Sequence, residues 1–198
     1  MQKCSLARKY FDEKAYDEAY ELFCELNMSY EQGLCKLLSD KLPEAYKIWS
    51  SVELPAIDIK WALVVYDLIR LKYNNLPSYF QVRAFLEVYL NLFIENKLFT
   101  YAENLISAQN ILAKSNPEAY KFIARVLYSH GYFDILPDFI ALSKQLCYLD
   151  PEIHFIEAQM FYGTGEYKKA IEALDDTLKI VPEYFPAHNL KKVILASY

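Results

Sequence analysis

The sequence is poor in glycine, with 4 glycines among 198 residues. So few glycines cannot build the glycine-rich loops that hold phosphate groups in nucleotide-binding proteins. The composition is 54% apolar, which argues against a disordered chain and is typical of packed secondary structure. The length predicts one domain or two small ones, each with a hydrophobic core.

Positive charge and long apolar runs are also scarce. The chain has 21 Lys and Arg against 26 Asp and Glu, a formal net charge of −5. Because phosphate binding needs basic residues concentrated on one face, we expect no nucleic-acid partner. The longest apolar run, residues 61–66, is far shorter than the roughly 20 residues of a membrane span. The first residues, MQKCSLARK, lack the apolar core of a signal peptide, so we predict a cytoplasmic protein without a membrane partner.

The cysteines and histidines form no pattern that is typical of a metal or catalytic site. Four cysteines are scattered without metal-ligand spacing, as expected for free thiols in a reducing compartment. His154 and Glu157 are at positions i and i+3, but no second ligand pair completes a site, and packing is the expected role of His154 and His188. No nucleophile elbow and no Cys with a nearby His base is present. We therefore predict a non-enzymatic chain with no catalytic residue, no cofactor and no metal.

A helix–turn–helix pattern recurs towards the C-terminus. An apolar segment over 153–162 leads to a turn at Gly165, which is followed by apolar residues at the spacing of a buried helix face: Tyr167, Ala170, Ile171, Leu174, Leu178 and Val181. Gly131 stands at the position equivalent to Gly165 in the preceding helix pair, and Lys97 stands at that position one pair earlier. A helix pair with a 34-residue period indicates a repeat protein.

Prolines and apolar stripes predict about 12 helices. The predicted ranges are 5–13, a helix opening at 15–19, 30–38, 42–49, 55–72, 77–95, 99–113, 118–130, 135–148, 152–162, 167–180 and 186–196. The repeat phase breaks before Ala102, and the polar stretch 73–76 is the best joint. We predict an N-terminal helical segment over 1–74 and a regular array over 75–198, with three repeats and a capping helix whose Lys191 and Lys192 lie on an outer surface. One continuous superhelix with a kink is the alternative.

The repeating residues resemble the tetratricopeptide repeat (TPR) family over about three quarters of the chain. Small residues, Ala124 and Ala158, stand where the two helices of a pair would touch. An alanine early in the second helix has an apolar partner at i+4 in four places: Ala19/Phe23, Ala45/Trp49, Ala102/Ile106 and Ala170/Leu174. Departures from the family pattern are Leu136, Leu90, His154 and Leu86. The resemblance implies an all-α fold, an antiparallel helix-pair solenoid that forms a right-handed superhelix.

The resemblance also implies a function, because arrays of this family present a concave groove to an extended peptide or a partner helix. It implies a non-catalytic protein–protein interaction scaffold whose groove exposes Asn91, Lys121, Arg125, Tyr128, Phe155, Gln159, Tyr162 and Asn189. Lys121 and Arg125 would form an exposed basic spot for a carboxylate or an acidic motif. The alternative is a solvated pair, bridged to Glu118.

Other functions and properties stay open at this stage. Small acidic proteins with three such repeats resemble cytoplasmic chaperones of secreted or assembly-prone clients, and a client of that kind would be insoluble when expressed alone. An enzyme or metal protein would retain a cofactor or metal on purification, and an RNA-binding repeat would show salt-dependent binding. The oligomeric state is open, as is whether the predicted helix 55–72 fills the groove.

Ala170→Trp tests the predicted repeat register. If Ala170 lies where two helices touch, the larger side chain overpacks the contact and lowers the free energy of unfolding by about 1–3 kcal/mol. Denaturant unfolding measures the loss. Melting at the wild-type temperature would contradict the predicted register.

Overall fold

The computed structural model describes residues 2–74 and 76–196, and there the chain consists of helices joined by short turns. These described residues contain no strand. Within the same ranges, no helix is both long enough and apolar enough to cross a membrane. Helices that follow each other through short turns pack as pairs, so the predicted all-α fold of antiparallel helix pairs is confirmed. The chain divides into two compact units, Met1–Ala108 and Gln109–Tyr198.

The first unit contains eight α-helices and one π-helical turn within its described residues. They are α1 (Gln2–Asp12), α2 (Tyr16–Glu25), α3 (Ser29–Leu38), α4 (Leu42–Ser50), α5 (Ile57–Ile69), α6 (Tyr79–Ala84), the π turn (Phe85–Tyr89), α7 (Leu90–Glu95) and α8 (Phe99–Ser107). From α1 to α5, each helix packs against the next one in sequence.

The turns between paired helices recur with the repeat period and share one backbone conformation. Lys97, Gly131 and Gly165 all have positive φ, at 59°, 74° and 79°. Each one follows the last turn of a first helix, where a left-handed residue reverses the chain and satisfies free carbonyls. Lys14 and Asp40 have the same conformation, at φ 62° and 61°, but they stand closer together in the sequence than one repeat period. The N-terminal pairs are therefore shorter versions of the same turn and helix arrangement.

In the first unit, the helical segment 79–95 covers α3 and α5. Phe85 packs edge-on against Trp61 of α5, with ring centroids 6.4 Å apart. The hydroxyls of Tyr89 and Tyr30 of α3 are 3.1 Å apart. Phe85 itself is fully buried. Segment 79–95 thus contacts both α3 and α5.

Two hydrogen bonds hold the end of that segment at the turn between α1 and α2. Lys14 Nζ donates to the Glu95 carbonyl at 2.6 Å, and the Tyr16 hydroxyl donates to Asn96 Oδ1 at 2.6 Å. The predicted helix 55–72 is α5, which packs in sequence against α4. The predicted helix 55–72 therefore belongs to the series of helices from α1 to α5 that pack in sequence.

The second unit contains α9 (Gln109–Ser115), α10 (Ala119–Ser129), α11 (Leu136–Leu146), α12 (Pro151–Gly163), α13 (Tyr167–Ile180) and α14 (Phe185–Ala196). From α9 to α14 each helix packs against the next one, and α10 also packs against α12. The small residues that were expected at helix contacts, Ala124, Ala158 and Ala170, are all fully buried. Ala158 and Ala170 lie in one core cluster with Leu174.

Three expectations are corrected by the structure. The helix predicted over 99–113 is interrupted at Ala108, just after Ser107 Oγ donates to the Glu103 carbonyl at 2.8 Å, a bond that often bends helices. His188 is exposed rather than packed. Lys191, expected on the outer surface, is half-buried and paired with Asp175.

The predicted division at 74/75 stays a prediction. It rests on the phase of the repeats, whereas the boundary between the two compact units falls after Ala108 in the sequence. Within the predicted joint 73–76, Asn75 lies outside the described residues.

Gly33→Ala tests the close contact between α3 and α4 at Gly33 and Trp49. A Cβ at Gly33 would lie 2.0 Å from Trp49 Nε1, and Trp49 is buried with that nitrogen donating to the Tyr30 carbonyl at 3.2 Å. The methyl group must displace the indole, so we expect the free energy of unfolding to fall by about 1–3 kcal/mol. Denaturant unfolding measures this loss.

Gly163→Ala is the matched control. At Gly163 a Cβ meets only Phe133 Cζ, at 3.8 Å, and alanine is the better helix former by up to about 1 kcal/mol. This variant should be as stable as the wild type or slightly more stable. Equal losses for the two variants would contradict the close Gly33–Trp49 contact.

Candidate functional site

Seven of the eight predicted groove residues belong to the second unit and fall into three rows. Members of a row are one repeat period apart on successive first helices. The first row is Lys121, Phe155 and Asn189, the second is Arg125 and Gln159, and the third is Tyr128 and Tyr162. On α10 and on α12 the rows follow i, i+4, i+7 spacing, which places them on one helix face. Asn91 lies in α7 of the first unit.

Lys121 does not form an exposed basic spot. Its side chain is buried, with the residue 6% exposed. Lys121 Nζ lies 2.9 Å from Glu118 Oε1 and 2.5 Å from Asp150 Oδ2. Burial by itself lowers the pKa of the Lys121 ammonium, but its hydrogen bonds to Asp150 and Glu118 outweigh burial and raise that pKa above its ordinary value. The ammonium is fixed in place by these carboxylates.

Arg125 is engaged in the same cluster. Its guanidinium lies 2.5 Å from Glu152 Oε1, and Glu152 Oε2 lies 3.6 Å from Lys121 Nζ. Three carboxylates, those of Glu118, Asp150 and Glu152, therefore surround two cations. Because the positive charges are neutralised within the protein, the cluster offers little attraction to a peptide carboxylate. It ties α10 to the start of α12.

The first-row contact recurs one repeat later with different chemistry. Phe155 stands one repeat period after Lys121, and Tyr184 stands one repeat period after Asp150. The Phe155 and Tyr184 rings pack with centroids 5.4 Å apart. Burial raises the pKa of the Tyr184 hydroxyl, and the Glu152 and Asp150 carboxylates raise it further. The first row thus serves to pack first helices together, by an ion pair in one repeat and by two rings in the next.

The third row repeats one aromatic geometry. The Tyr128 ring packs on Phe133 with centroids 6.0 Å apart and planes at 51°. The Tyr162 ring packs on Tyr167 with centroids 5.9 Å apart and planes at 48°. Each tyrosine is held by a ring from the turn or helix that follows it, so the two point in corresponding directions.

Both tyrosines of the third row are accessible. Tyr162 is 37% exposed and Tyr128 is half-buried. In the described part of the chain, neither hydroxyl has a hydrogen-bond partner. Together with Arg125 and Gln159 of the second row, they form a surface that we call the ladder face.

Sequence reasoning missed the residues that support this face. Phe133 and Tyr167 hold the two tyrosines, and Asp150 and Tyr184 contact the first row. Phe133 and Tyr167 are one repeat period apart, as are Asp150 and Tyr184. The repeat period was therefore the signal that could have identified all four.

A cavity of about 300 Å³ lies between α11 and α12. It is lined by Phe133, Pro137, Ile140, Ala141, Lys144, Glu157, Met160, Phe161, Thr164 and Glu166. Lys144 and Glu157 form an ion pair across it. At 100° per residue, the lining residues of α12 are on the opposite side of that helix from the ladder face.

The described residues contain no group of three or more His, Cys, Asp and Glu side chains that is placed to hold a metal ion. The buried His154 binds the Tyr148 carbonyl through Nε2 at 2.8 Å. Its ring also packs edge-on against Tyr148, with centroids 5.1 Å apart. These contacts give His154 the packing role that was expected for it.

Comparisons with known proteins give limited similarity. No protein-family model matches the sequence, and no curated protein matches it. Among solved structures, the chain is similar to the crystal structure of YrrB, described as a TPR protein with an unusual peptide-binding site. The two share 14% identity, with a TM-score of 0.46, over 97% of this chain and 91% of that chain.

Lys121→Met tests the ion cluster. Removing the ammonium leaves Asp150 and Glu118 without their shared cation. We expect the free energy of unfolding to fall by about 2 kcal/mol, less than for a fully buried pair because both carboxylates keep some contact with water. Urea unfolding at neutral pH measures the loss. Lys168→Met, at an exposed position, is the control and should not change stability.

The stability difference between the wild type and Lys121→Met should depend on pH in a defined way. Because the pKa of Lys121 is raised in the folded state, its contribution is complete below the ordinary value of 10.5 and is lost only as pH rises beyond it. The stability difference between the wild type and Lys121→Met should thus stay constant from pH 7 to about pH 10. A difference that shrinks over this range would contradict the raised pKa.

Proposed function

We propose that the chain is a protein-interaction module whose second unit binds a segment of a partner protein across the ladder face. The repeated geometry of Tyr128 and Tyr162 is the observation that carries this proposal. Tyrosine is enriched in binding surfaces because it supplies a large, rigid contact area at a low entropic cost. Two tyrosines in matching orientations, with hydroxyls that are open for hydrogen bonds, are suited to contact successive residues of one ligand.

The ion cluster prepares the face for binding. Lys121 and Arg125 connect α10 to residues at the start of α12, so the helices that carry the two tyrosines are joined directly. A surface that is already ordered loses less entropy on binding. The groups on the face are phenol, amide and guanidinium donors, which fit recognition rather than bond making. A non-catalytic scaffold is the function that these features support.

A cytoplasmic location is part of the same proposal. Cys4, Cys24, Cys35 and Cys147 are all free thiols. Free cysteines are typical of reducing compartments, whereas secreted proteins of modest size tend to pair theirs. The composition and the acidic charge, with a sequence pI of about 5.3, agree with such a setting.

Affinity capture from lysate of the source cells tests the proposal when it is run with matched variants. Tyr128→Ala and Tyr162→Ala should each weaken capture of a partner about tenfold or more, as truncation of an interface tyrosine commonly does. Tyr132→Ala is the control, because Tyr132 has the same exposed fraction as Tyr162, 37%. It should leave capture unchanged.

Two other outcomes are informative. A partner that is retained equally by all three variants would contradict the ladder face as the site and would direct attention to the cavity between α11 and α12. A captured protein that is insoluble when expressed alone and soluble with this chain would favour the chaperone hypothesis.

A further inference from the structure

Lys36 of α3 occupies a position that is aromatic or aliphatic in the other helix pairs of the chain. The left-handed residues between paired helices are Lys14, Asp40, Lys97, Gly131 and Gly165. The residues four positions before them are Tyr10, Lys36, Phe93, Leu127 and Phe161. Phe93 and Leu127 are fully buried, and Tyr10 and Phe161 pack against core clusters. An apolar side chain therefore meets the packing role of this position, and the charge of Lys36 needs another explanation.

The ammonium of Lys36 is largely buried and makes no hydrogen bond. Its side chain is 13% exposed, and Nζ lies 3.7 Å from the centroid of the Tyr20 ring. The nearest carboxylate oxygens, Asp17 Oδ1 and Glu44 Oε2, are 3.9 and 4.0 Å away, which is beyond hydrogen-bonding distance. In the part of the chain that the structure describes, no other acceptor reaches this nitrogen. A buried ammonium is costly when its N–H groups meet no acceptor.

Lysines with comparably buried side chains in the second unit have acceptors within the protein. Examples are Lys121, Lys144 and Lys191, whose side chains are 8%, 21% and 28% exposed. Each of them donates a hydrogen bond to a carboxylate. Lys36 differs from these lysines because its N–H groups remain available for an acceptor that the chain does not supply.

The ammonium borders a surface cavity of about 370 Å³ that is formed by α2, α3 and α4. The lining residues are Tyr20, Lys36, Glu44, Lys47, Ile48 and Ser51. Those of α4 and its C-terminal end follow i, i+3, i+4, i+7 spacing, which places them on one helix face. The volume is within the range of small-molecule sites. A small ligand can therefore reach the Lys36 ammonium from this cavity.

The charges of the lining favour a ligand with a single negative charge. Two lining residues are cations, Lys36 and Lys47, and one is an anion, Glu44, so the net charge is 2 − 1 = +1. Asp17, the other carboxylate beside Lys36, is balanced by Lys41, whose Nζ is 3.6 Å from Asp17 Oδ1. A carboxylate neutralises the cavity and accepts charge-assisted hydrogen bonds from an ammonium. A phosphate dianion leaves an excess negative charge.

We propose that this cavity binds a small organic monocarboxylate with an apolar body. The carboxylate accepts a hydrogen bond from Lys36 Nζ and is also attracted by the exposed Lys47, while Tyr20 and Ile48 contact the apolar body. The site is separate from the ladder face, because Lys36 is equivalent to Leu127, which belongs to none of the three rows.

A chemical-shift titration of the ¹⁵N-labelled full chain tests this proposal. The probes are 3-phenylpropionate, its uncharged amide, inorganic phosphate, and a five-residue peptide that ends in phenylalanine with a free or an amidated C-terminus. We expect 3-phenylpropionate to shift the amide signals around Lys36. The uncharged amide should bind at least about tenfold more weakly, and phosphate should bind more weakly than 3-phenylpropionate. Tighter binding of the free-acid peptide would support the site and identify a protein C-terminus as the source of the carboxylate.

Lys36→Leu separates binding from packing, because leucine is the residue at the equivalent position of α10, Leu127. Binding of 3-phenylpropionate should weaken about tenfold or more. The free energy of unfolding should stay the same or rise, because apolar replacement of a buried charge is commonly neutral or stabilising. Lys36→Met, which keeps the side-chain length, serves if the leucine variant fails to fold.

Two further variants complete the set. Lys47→Met should weaken 3-phenylpropionate binding by about two- to fivefold, the effect of a solvent-exposed charge pair. Lys60→Met, at an exposed position of α5, is the control and should change neither binding nor stability.

Several results would overturn the inference. One is the absence of any shift with 3-phenylpropionate or the free-acid peptide up to about 10 mM, well above the dissociation constant of even a weak site. Another is 3-phenylpropionate binding that Lys36→Leu retains, and a third is phosphate binding that is tighter than that of 3-phenylpropionate. A large loss of stability in both Lys36→Leu and Lys36→Met would give the ammonium a structural role instead.

Discussion

The first helices of the second unit stay side by side because a residue early in each contacts the loop that precedes the next. In one repeat the contact is the ammonium of Lys121 on Asp150, and in the next it is the ring of Phe155 on Tyr184. Both contacts join the same two positions of the repeat. The Lys121–Asp150 contact thus joins the two helices that carry Tyr128 and Tyr162.

The ion cluster contributes more to the placement of α10 and α12 than to the net stability of the fold. Burying Lys121 among carboxylates costs hydration energy that the ion pairs largely return, so such clusters are weak sources of net stability. Their geometry is nonetheless demanding, since Lys121 must reach both Asp150 and Glu118. The cluster also removes free positive charge from the face. The rings of Tyr128 and Tyr162 remain accessible beside the cluster.

A second set of ion pairs distinguishes one helix contact from another. Lys144 on α11 pairs with Glu157 on α12, and Asp175 on α13 pairs with Lys191 on α14. Glu157 and Lys191 are equivalent positions, one repeat period apart, yet they have opposite charge. If α12 and α14 exchanged places, each pair would oppose two like charges, which is unfavourable. The swapped polarity therefore favours the native order of the repeats.

Local patterns in the sequence determined the helices, the repeat period and the buried alanines. Apolar spacing and the need for a left-handed residue at Gly131 and Gly165 are local constraints that need no partner. Only the tertiary structure decided that Lys121 is buried, that segment 79–95 covers α3 and α5, and that Trp49 lies against Gly33. Each of these depends on a contact with a side chain many residues away. Asp150 pairs with Lys121, Trp61 packs against Phe85, and the indole of Trp49 lies against Gly33. A position on a helix face shows which residues point the same way, but whether that face meets solvent or another helix depends on chain that folds over it from elsewhere.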